Sequence, residues 1–434
     1  MKTYSTYKNS GVEWLGEIPE HWETLPIRAI FEERNEKNEG PKTEFILSVT
    51  KDRGVIPYDE KGAIGNNKSE DIERYKLVYE GDFVINKMNV VIGSLGMSKY
   101  FGAFSQVYLV YKPKSSKINI NYYSYIFSNP SFYKSLIRYC TGIMELRESL
   151  NKDDFKKIVL PLPEYNIQSK IVSYLDIKTS KIDQAIAIKQ QQIELLKERK
   201  QILIHKVVTR GLNDKVKFKD SKVVWIGDIP EHWKVTPLRH IGKTQNGISK
   251  GGEHFGTGYP FVSYSDVYRD IKLPLSVNGL VESTVEDRNQ YSVLEGDILF
   301  TRTSETVSEI GFSSTCLQNI ENATFAGFLI RFRPQKNILH KEFSKYYFSS
   351  STHRAFFIKE MNLVIRASLS QDLLKRMPVL LPPLSEQEEI GNYLNDKTTK
   401  IATAISLKER EIEKLKEYKM SLIDGVVTGK LKVC

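Results

Sequence analysis

The sequence predicts an α+β protein: two similar mixed α/β bodies separated by two long antiparallel coiled-coil helices. The basis is an internal repeat within 434 residues. Residues 7–30 align without a gap on residues 218–241, with 13 identities in 24 positions, and residues 168–212 align on residues 387–431, with 23 in 45. A repeat of this size and order implies two similarly folded units related by a pseudo-twofold axis.

The first repeated segment, called the box below, holds all four tryptophans of the chain, Trp14, Trp22, Trp225 and Trp233. Its core reads Trp-Leu-Gly-Glu-Ile-Pro-Glu-His-Trp in the first copy and Trp-Ile-Gly-Asp-Ile-Pro-Glu-His-Trp in the second. We expect these rings to anchor each body by packing, because a surface that selects a ligand should differ between copies and the boxes do not.

The second repeated segment has the apolar heptad pattern of a coiled coil. Gly and Pro are absent between residues 171 and 206 and between residues 392 and 424, so each copy can run as one helix. At roughly 1.5 Å per residue, such a helix spans roughly 48 Å and would act as a spacer. The seam residues are Leu175, Ile182, Ile186, Ile193, Leu196 and Leu203, and Leu394, Ile401, Ile405, Ile412, Leu415 and Leu422.

Charged residues interrupt this seam at the same places in both copies. Lys189 and Lys200 recur as Lys408 and Lys419. A charged seam residue can fix register and pairing direction at a cost in stability, or it can extend past the edge of a loose seam towards solvent. Both alternatives fit the sequence. In either case the simplest partner for one helix is its own duplicate, packed antiparallel.

The two bodies, which follow the boxes, share scattered positions that predict a common scaffold. Residues 78–88 match residues 293–303 through Glu-Gly-Asp, which predicts a turn followed by a strand and a polar or basic tip. Residues 107–113 match residues 328–334, and Arg147 with Ser149-Leu150 matches Arg366 with Ser368-Leu369.

Composition limits the class of protein. Sixty-three Lys and Arg against 53 Asp and Glu give a net charge of +10, which favours a polyanionic partner. Three cysteines, Cys140, Cys316 and Cys434, suggest neither a disulfide framework nor a thiolate metal site. With no apolar run of membrane-spanning length, we expect a soluble cytoplasmic protein.

A polar loop is predicted after the first strand of each body, and polar or basic side chains also follow the Glu-Gly-Asp strand. Arg, Lys and Asn carry donors and acceptors that match base edges in the major groove. A single loop cation is usually only solvated, whereas clustering at equivalent tips favours contact with a nucleic acid. The candidates are Lys51, Arg53, Asn86, Lys87, Asn89 and Arg147, and Ser265, Tyr268, Arg269, Thr301, Arg302, Thr303 and Arg366.

Common catalytic motifs are absent from the sequence. It lacks His-Glu-x-x-His, a Walker A motif, paired Cys-x-x-Cys and the Asn/Asp-Pro-Pro-aromatic tetrad of amino-methyltransferases. We therefore predict no catalytic residue, no metal ligand and no cofactor of its own.

The boxes, the Arg-x-Ser-Leu positions at 147 and 366, and Leu-Pro-Pro-Leu-Ser-Glu-Gln-Glu-Glu-Ile at 381–390 resemble the specificity subunit of type I restriction-modification systems. The first copy differs at residues 160–168, which read Leu-Pro-Leu-Pro-Glu-Tyr-Asn-Ile-Gln. The resemblance covers essentially the whole chain. It implies target recognition domains at residues 1–160 and 213–379, a central helical spacer at 161–212 and a C-terminal one at 380–434.

The resemblance also implies a function. Each domain would read half of a bipartite, asymmetric site in double-stranded DNA, and the helices would dock two modification subunits and the restriction subunits. S-adenosylmethionine and ATP would then belong to those partners. A coiled-coil adaptor with two protein-binding domains is the alternative, and an enzyme comes third. Salt-dependent binding to duplex DNA separates the first two, because phosphate contacts weaken steeply with salt.

Overall fold

The chain forms two compact units in a computed structural model that describes residues 3–51, 53–62, 69, 71–141, 149–304, 310–360 and 367–433. Unit 1 comprises residues 1–189 and 409–434, and unit 2 comprises residues 190–408. Each unit therefore contains one box, one body and part of both long helices. The division into four consecutive segments made from the sequence stays a prediction.

Unit 1 contains fourteen short strands and four short helices among its described residues, followed by the first part of a long helix. The strands are β1 (Tyr7–Asn9), β2 (Glu17–Pro19), β3 (Glu23–Pro26), β4 (Phe31–Glu33), β5 (Leu47–Thr50), β6 (Gly54–Pro57), β7 (Lys76–Val78), β8 (Phe83–Ile85), β9 (Leu95–Met97), β10 (Gly102–Phe104), β11 (Leu109–Pro113), β12 (Cys140–Thr141), β13 (Ser149–Leu150) and β14 (Val159–Leu162). The helices are α1 (Ile27–Ile30), α2 (Ile120–Phe127), α3 (Pro130–Ser135), α4 (Lys152–Phe155) and the long α5 (Tyr165–Arg210).

Unit 2 repeats this plan with a different loop structure. Its described strands are β15 (Phe218–Asp220), β16 (Asp228–Pro230), β17 (Lys234–Pro237), β18 (Gly242–Asn246), β19 (Phe255–Val262), β20 (Leu280–Val281), β21 (Ile298–Thr301), β22 (Thr303–Ser304), β23 (Ser313–Thr315), β24 (Thr324–Phe325), β25 (Leu329–Pro334), β26 (Ala367–Ser368) and β27 (Pro378–Leu381). Its helices are α6 (Tyr264–Arg269), α7 (Val285–Gln290), α8 (Lys341–Tyr347), α9 (Ser351–Glu360), α10 (Gln371–Arg376) and the long α11 (Leu384–Val427).

An antiparallel four-stranded sheet forms the centre of each body, with strand order β4-β11-β8-β9 in unit 1 and β18-β25-β21-β23 in unit 2. The register is the same in both: Phe83 lies opposite Tyr111 and Ile298 opposite Phe332. Unit 2 adds the sheet β20-β19-β24, in which β19 and β24 are parallel. The prediction of two mixed α/β bodies on one scaffold is confirmed.

Each body joins the rest of its unit through one pair of antiparallel strands, which we call the neck. In unit 1, Pro26 of β3 lies opposite Val159 of β14, and in unit 2, Pro237 of β17 lies opposite Pro378 of β27. The chain thus enters and leaves a body at adjacent points. The necks place the two bodies at residues 27–158 and 238–377.

The boxes pack into the cores of their units. Trp22 and Trp233 are fully buried, each within the largest hydrophobic cluster of its unit. Trp14 packs edge-on against Phe132 with ring centroids 5.2 Å apart, and the Trp233 indole N–H donates to the Glu386 carboxylate at 3.1 Å. The prediction that these rings act by packing is confirmed for Trp22 and Trp233. Burying such a ring stabilises a core by about 3–5 kcal/mol relative to alanine.

Both long helices form as single elements, as their uninterrupted heptads predict. Leu175, Ile182 and Leu422 lie in the core of unit 1, and Leu394 lies in the core of unit 2 with Val207. The other seam residues are buried or half-buried, namely Ile186, Ile193, Leu196, Leu203, Ile401, Ile405, Ile412 and Leu415. The seam side chains are therefore buried or half-buried along both long helices, as the heptad pattern predicts.

Within unit 1 the two helices run antiparallel. The Lys419 ammonium lies 2.7 Å from the Asp183 carboxylate, and the Lys189 ammonium lies 2.5 Å from the Glu411 carboxylate. In unit 2, Lys408 donates to Gln192 at 2.7 Å. Three of the four seam lysines thus bond to the opposite helix, which favours register and pairing direction as their role.

A buried histidine of α9 gives unit 2 an acid-sensitive core. His353 is fully buried against the rings of Tyr347 and Phe348, at centroid distances of 4.4 and 5.2 Å, and this burial lowers the pKa of His353 to about 3. In the unfolded chain a histidine has a pKa of about 6.5. Below pH 6.5 the unfolded state binds a proton that the folded state does not, so stability falls with pH towards 3.

We expect this histidine alone to destabilise unit 2 by about 2 kcal/mol between pH 7.5 and pH 5, since each pKa unit corresponds to about 1.4 kcal/mol. Denaturant unfolding of the full chain at both pH values measures the change. His353→Phe should remove that part of the pH dependence, and the exposed His240→Phe serves as the control. An unchanged pH dependence in His353→Phe would show that other groups cause it.

Candidate nucleic-acid interface

The same turn begins the central strand of both sheets. In Glu80-Gly81-Asp82 and Glu295-Gly296-Asp297 the glycine has φ of 85° and 88°, a region that favours glycine. Its N–H donates at 2.8 Å to Ser98 O in unit 1 and to Cys316 O in unit 2. The predicted Glu-Gly-Asp turn is therefore confirmed, and it fixes where β8 and β21 begin.

The aspartate of each turn is buried and paired with an arginine. Asp82 accepts the Tyr79 N–H at 2.9 Å and the Arg34 guanidinium at 2.7 Å. Asp297 accepts the Leu294 N–H at 2.8 Å and binds the Arg333 guanidinium through both oxygens, at 2.7 and 2.6 Å. Burial raises the pKa of the Asp82 carboxyl, while Arg34 and the Tyr79 N–H limit the rise.

At the far end of the same strands, Lys87 and Arg302 occupy equivalent positions. The Lys87 carbonyl accepts the Leu150 N–H at 3.0 Å, and the Arg302 carbonyl accepts the Leu369 N–H at 2.7 Å. Both side chains are partly exposed. The matching Ser-Leu positions thus fix the backbone of a basic residue at the same place in both scaffolds. This residue is Lys87 in unit 1 and Arg302 in unit 2.

The other unit 1 candidates flank Lys87. Asn86 accepts the Met88 N–H at 3.1 Å through its side-chain oxygen, and Asn89 is exposed in the same turn. Lys51 and Arg53 lie in the turn between β5 and β6, a hairpin that packs on β9. Arg53 is ion-paired with Glu60, so this guanidinium is partly engaged.

Further lysines raise the positive potential near Lys87. Lys76 donates to the Tyr108 carbonyl at 3.0 Å and is half-buried. Burial lowers the pKa of Lys76; Glu33 opposes this shift, and Lys152 and Lys87 add to it. Lys152 lies 2.5 Å from the Glu33 carboxylate. The single carboxylate of Glu33 therefore interacts with more than one ammonium group, which leaves a local excess of positive charge.

The first group of unit 2 candidates does not lie in a loop, contrary to the sequence prediction. Residues 264–269 form α6, because the Ser263 N–H donates to Asp266 at 2.8 Å in a capping box that starts a helix. Ser265 and Arg269 are exposed on this helix. Tyr268 stacks on Tyr264, with centroids 6.0 Å apart. The Ser-x-x-Asp spacing was the available signal for the helix.

The members of the second group of unit 2 candidates, Thr301, Arg302 and Thr303, differ in how far their side chains are exposed to solvent. Thr301 is fully buried in β21 and so cannot reach a ligand, a correction to the prediction that follows from its place inside the sheet. Thr303 is exposed in β22, next to the partly exposed Arg302. Arg147 and Arg366 lie outside the described residues.

Exposed apolar side chains at these strand ends were missed by the sequence analysis. Phe328 is 66% exposed directly before β25, and its carbonyl accepts the Arg302 N–H at 3.0 Å. Val107, at the matching position before β11, is 50% exposed, and Met88 is 64% exposed. An apolar residue next to a strand predicts a core position, so only the tertiary structure reveals this exposure.

The long helices also carry exposed apolar side chains beside the seam. Ile188, Leu195 and Ile202 of α5 recur at seven-residue spacing, each directly before a seam position, and all are more than half exposed. Leu407 of α11 matches Ile188 in the repeat. In unit 2, Leu195 and Ile405 border a surface groove of about 600 Å³.

The described residues contain no cluster of three His, Cys, Asp or Glu side chains able to hold a metal ion. None of their helices has the length and apolar character needed to cross a bilayer.

The fold and the strand ends define a class of protein: a duplicated scaffold that presents different polar side chains at equivalent positions. The family model for the type I restriction modification DNA specificity domain matches this chain twice, at residues 19–198 and 230–417. The chain belongs to this family. Each match begins in a box and ends in a long helix.

Known relatives are similar over most of their length. The putative type I restriction enzyme MjaX specificity subunit of Methanocaldococcus jannaschii is 25% identical over 441 residues, covering 96% of both chains. The type I restriction enzyme EcoKI specificity subunit of Escherichia coli is 24% identical over 397 residues, covering 86% of this chain and 82% of the other.

Solved structures share the fold. A chain from a study of complex assembly and conformational transition in the type I R-M system superposes with a TM-score of 0.72 and 14% identity, covering 95% of this chain and 99% of that one. The HsdS subunit of Thermoanaerobacter tengcongensis superposes with a TM-score of 0.56 and 15% identity, covering 99% and 100%. At these identities the likeness concerns the fold alone.

Proposed function

We propose that this chain is the DNA-recognition subunit of a type I restriction-modification complex and reads a bipartite, asymmetric site. The body of unit 1, residues 27–158, reads one half-site, and the body of unit 2, residues 238–377, reads the other. The chain contributes recognition and assembly, while methyl transfer and cleavage belong to its partners. Its relatives are named specificity subunits, in agreement with this role.

The observation that carries the proposal is the equivalent placement of Lys87 and Arg302. Lys and Arg both donate to guanine O6 and N7, and Arg does so through two parallel hydrogen bonds. A scaffold that holds different cations at one position gives two domains different preferences while keeping their geometry. Thr303 lies beside this position in unit 2, and Asn89 lies near it in unit 1.

The remaining candidates belong to the same proposed surface with different weight. Lys51 and Arg269 are exposed cations, and Arg53 must exchange Glu60 for a new partner. Phosphate contacts position a protein on the duplex without reading sequence, so we assign these three cations to the backbone. Asn86, Ser265 and Tyr268 supply hydrogen bonds and stacking.

We assign the partner subunits to the outer faces of the long helices. The stripe of Ile188, Leu195 and Ile202 with Leu407 leaves apolar area exposed that a docked protein would cover. Two modification subunits fit a duplicated pair of helices, although α11 keeps only Leu407 of this stripe and has Lys414 and Ser421 at the positions that match Leu195 and Ile202. The restriction subunits would join the assembled complex in the cytoplasm.

Selection of duplexes from a random-sequence library by the full chain tests the proposal. We expect enrichment of two separated, dissimilar half-sites, with affinity that falls steeply as salt rises. Arg302→Ala should lose discrimination at one base pair of one half-site, and Lys87→Ala at one base pair of the other. Each loss should be about 1–3 kcal/mol.

Two lysines next to the necks provide matched controls. Lys157→Ala removes an exposed cation from the body that contains Lys87, and Lys375→Ala removes one from the body that contains Arg302. We expect both variants to select the same sequence as the wild-type chain. A uniform loss of affinity in Arg302→Ala, with a shallower salt dependence, would identify Arg302 as a phosphate contact. Binding that is weak and independent of sequence would favour the protein-adaptor alternative.

A further inference from the structure

We propose that Phe328 contacts the 5-methyl group of a thymine adjacent to the base pair read by Arg302. The inference deepens the proposed function and rests on it. Phe328 then acts as a specificity-determining residue, which reads a base by apolar contact where Arg302 reads one by hydrogen bonds.

The exposure of Phe328 is the first observation. Its ring is 66% exposed although it directly precedes β25, an interior strand of the four-stranded sheet. The next two residues, Leu329 and Ile330, are fully buried, so the core ends abruptly at this position. A phenylalanine ring left in water forgoes about 1.5–3 kcal/mol of burial energy, which a ligand at this surface would recover.

The position of Phe328 relative to Arg302 is the second observation. The Phe328 carbonyl accepts the Arg302 N–H at 3.0 Å, which makes the two residues neighbours across antiparallel strands. Side chains of such neighbours lie about 4.5–5.5 Å apart at their Cβ atoms. This separation is comparable to the rise of one to two base pairs, at about 3.4 Å each. A ligand engaged by Arg302 therefore passes over the Phe328 ring.

The chemistry of the major groove selects the thymine methyl group as the apolar target. Thymine is the base that presents a methyl group there, and apolar side chains including phenylalanine contact it in direct readout. Val107, which is exposed at the position of unit 1 that matches Phe328 in the sequence, offers a smaller apolar surface. The two bodies thus repeat an exposed apolar side chain at this position, with different sizes.

Replacement of single thymines by deoxyuridine tests the proposal, because uracil lacks only the methyl group. The probe is the duplex selected by the full chain, in which each thymine of the half-site that contains the base pair affected by Arg302→Ala is changed in turn. We expect about a fourfold weaker Kd at one position, since a buried methyl group is worth about 0.8 kcal/mol. In Phe328→Ala this position should show no difference between thymine and uracil.

Val224→Ala provides the control, because Val224 is 90% exposed in the box, away from the strand ends. This variant should keep the wild-type response to deoxyuridine. Phe328→Leu should keep a reduced response and shows that the fold tolerates a change at this position. Equal responses of wild type and Phe328→Ala at every thymine would overturn the proposal. Failure of the wild-type chain to select any duplex would instead overturn the proposed function.

Discussion

Replacement of Asp297 by alanine is expected to destabilise unit 2 by about 2–3 kcal/mol, since it leaves the Leu294 N–H without its acceptor and the Arg333 guanidinium, which is 33% exposed, without its counter-ion. The Asp297 side chain is 1% exposed and binds both the Arg333 guanidinium and the Leu294 N–H. The variant therefore loses an ion pair and the acceptor that closes the Glu-Gly-Asp turn. Because β21 begins at this turn, the strand that carries Arg302 should loosen with it.

Hydrogen exchange of the full chain measures this change within one molecule. In the Asp297 variant, the free energy of opening at the amides of β21 should fall by the same amount as the stability of unit 2. The amides of β8 in unit 1 provide an internal reference. Asp372→Ala is the matched control: it removes a carboxylate that is 89% exposed and paired with Lys375, and such pairs contribute about 0–1 kcal/mol. Similar exchange in both variants would contradict the role assigned to Asp297.

A second large effect is expected from exchange of an entire body. Substitution of residues 27–158 by the corresponding segment of a relative should replace one half-site completely and leave the other unchanged. The junctions fall at Pro26 and Val159, which are opposite each other in the neck, so the exchange interrupts one strand pair. Methylation sequencing of a host that carries the chimera with the modification partner reads both half-sites.

The donor body must keep its contacts with the long helix. The Tyr122 hydroxyl donates to the Val427 carbonyl at 2.8 Å, and the Asn129 side chain donates to Asp424 at 2.8 Å. A relative with Tyr and Asn at these positions preserves both bonds. The reciprocal exchange of residues 238–377 should alter the other half-site. A folded chimera that changes both halves, or neither, would refute the assignment of one half-site to each body.

Patterns confined to one element were predictable from the sequence. The seam of the long helices follows from a heptad that needs only local periodicity, and the Glu-Gly-Asp turn follows from residues that close their own hydrogen bonds. The packing role of Trp22 and Trp233 follows from their identity in both copies. For the helices and the turn the information lies within the element, and for the tryptophans it lies in the comparison of the two copies.

Features that depend on neighbours across the sheet were not predictable in this way. The exposure of Phe328 and the burial of Thr301 depend on where the strand ladder ends, which the pattern of apolar residues does not define. The partners of Asp82 and Asp297 lie 48 and 36 residues away in the chain. Residues 264–269 were interpreted as a loop because a single helical turn is too short to show periodicity.

The arginines that neutralise Asp82 and Asp297 come from different strands. This difference limits how the two copies can recombine. Arg34 follows the edge strand β4, whereas Arg333 belongs to the interior strand β25; their counterparts in the other copy are Gln245 and Lys112. Recombination that mixed these strands between the copies would leave one descendant with a buried carboxylate lacking its arginine. Selection should therefore retain crossovers that fall in the necks, so that new DNA specificities arise by the transfer of intact bodies.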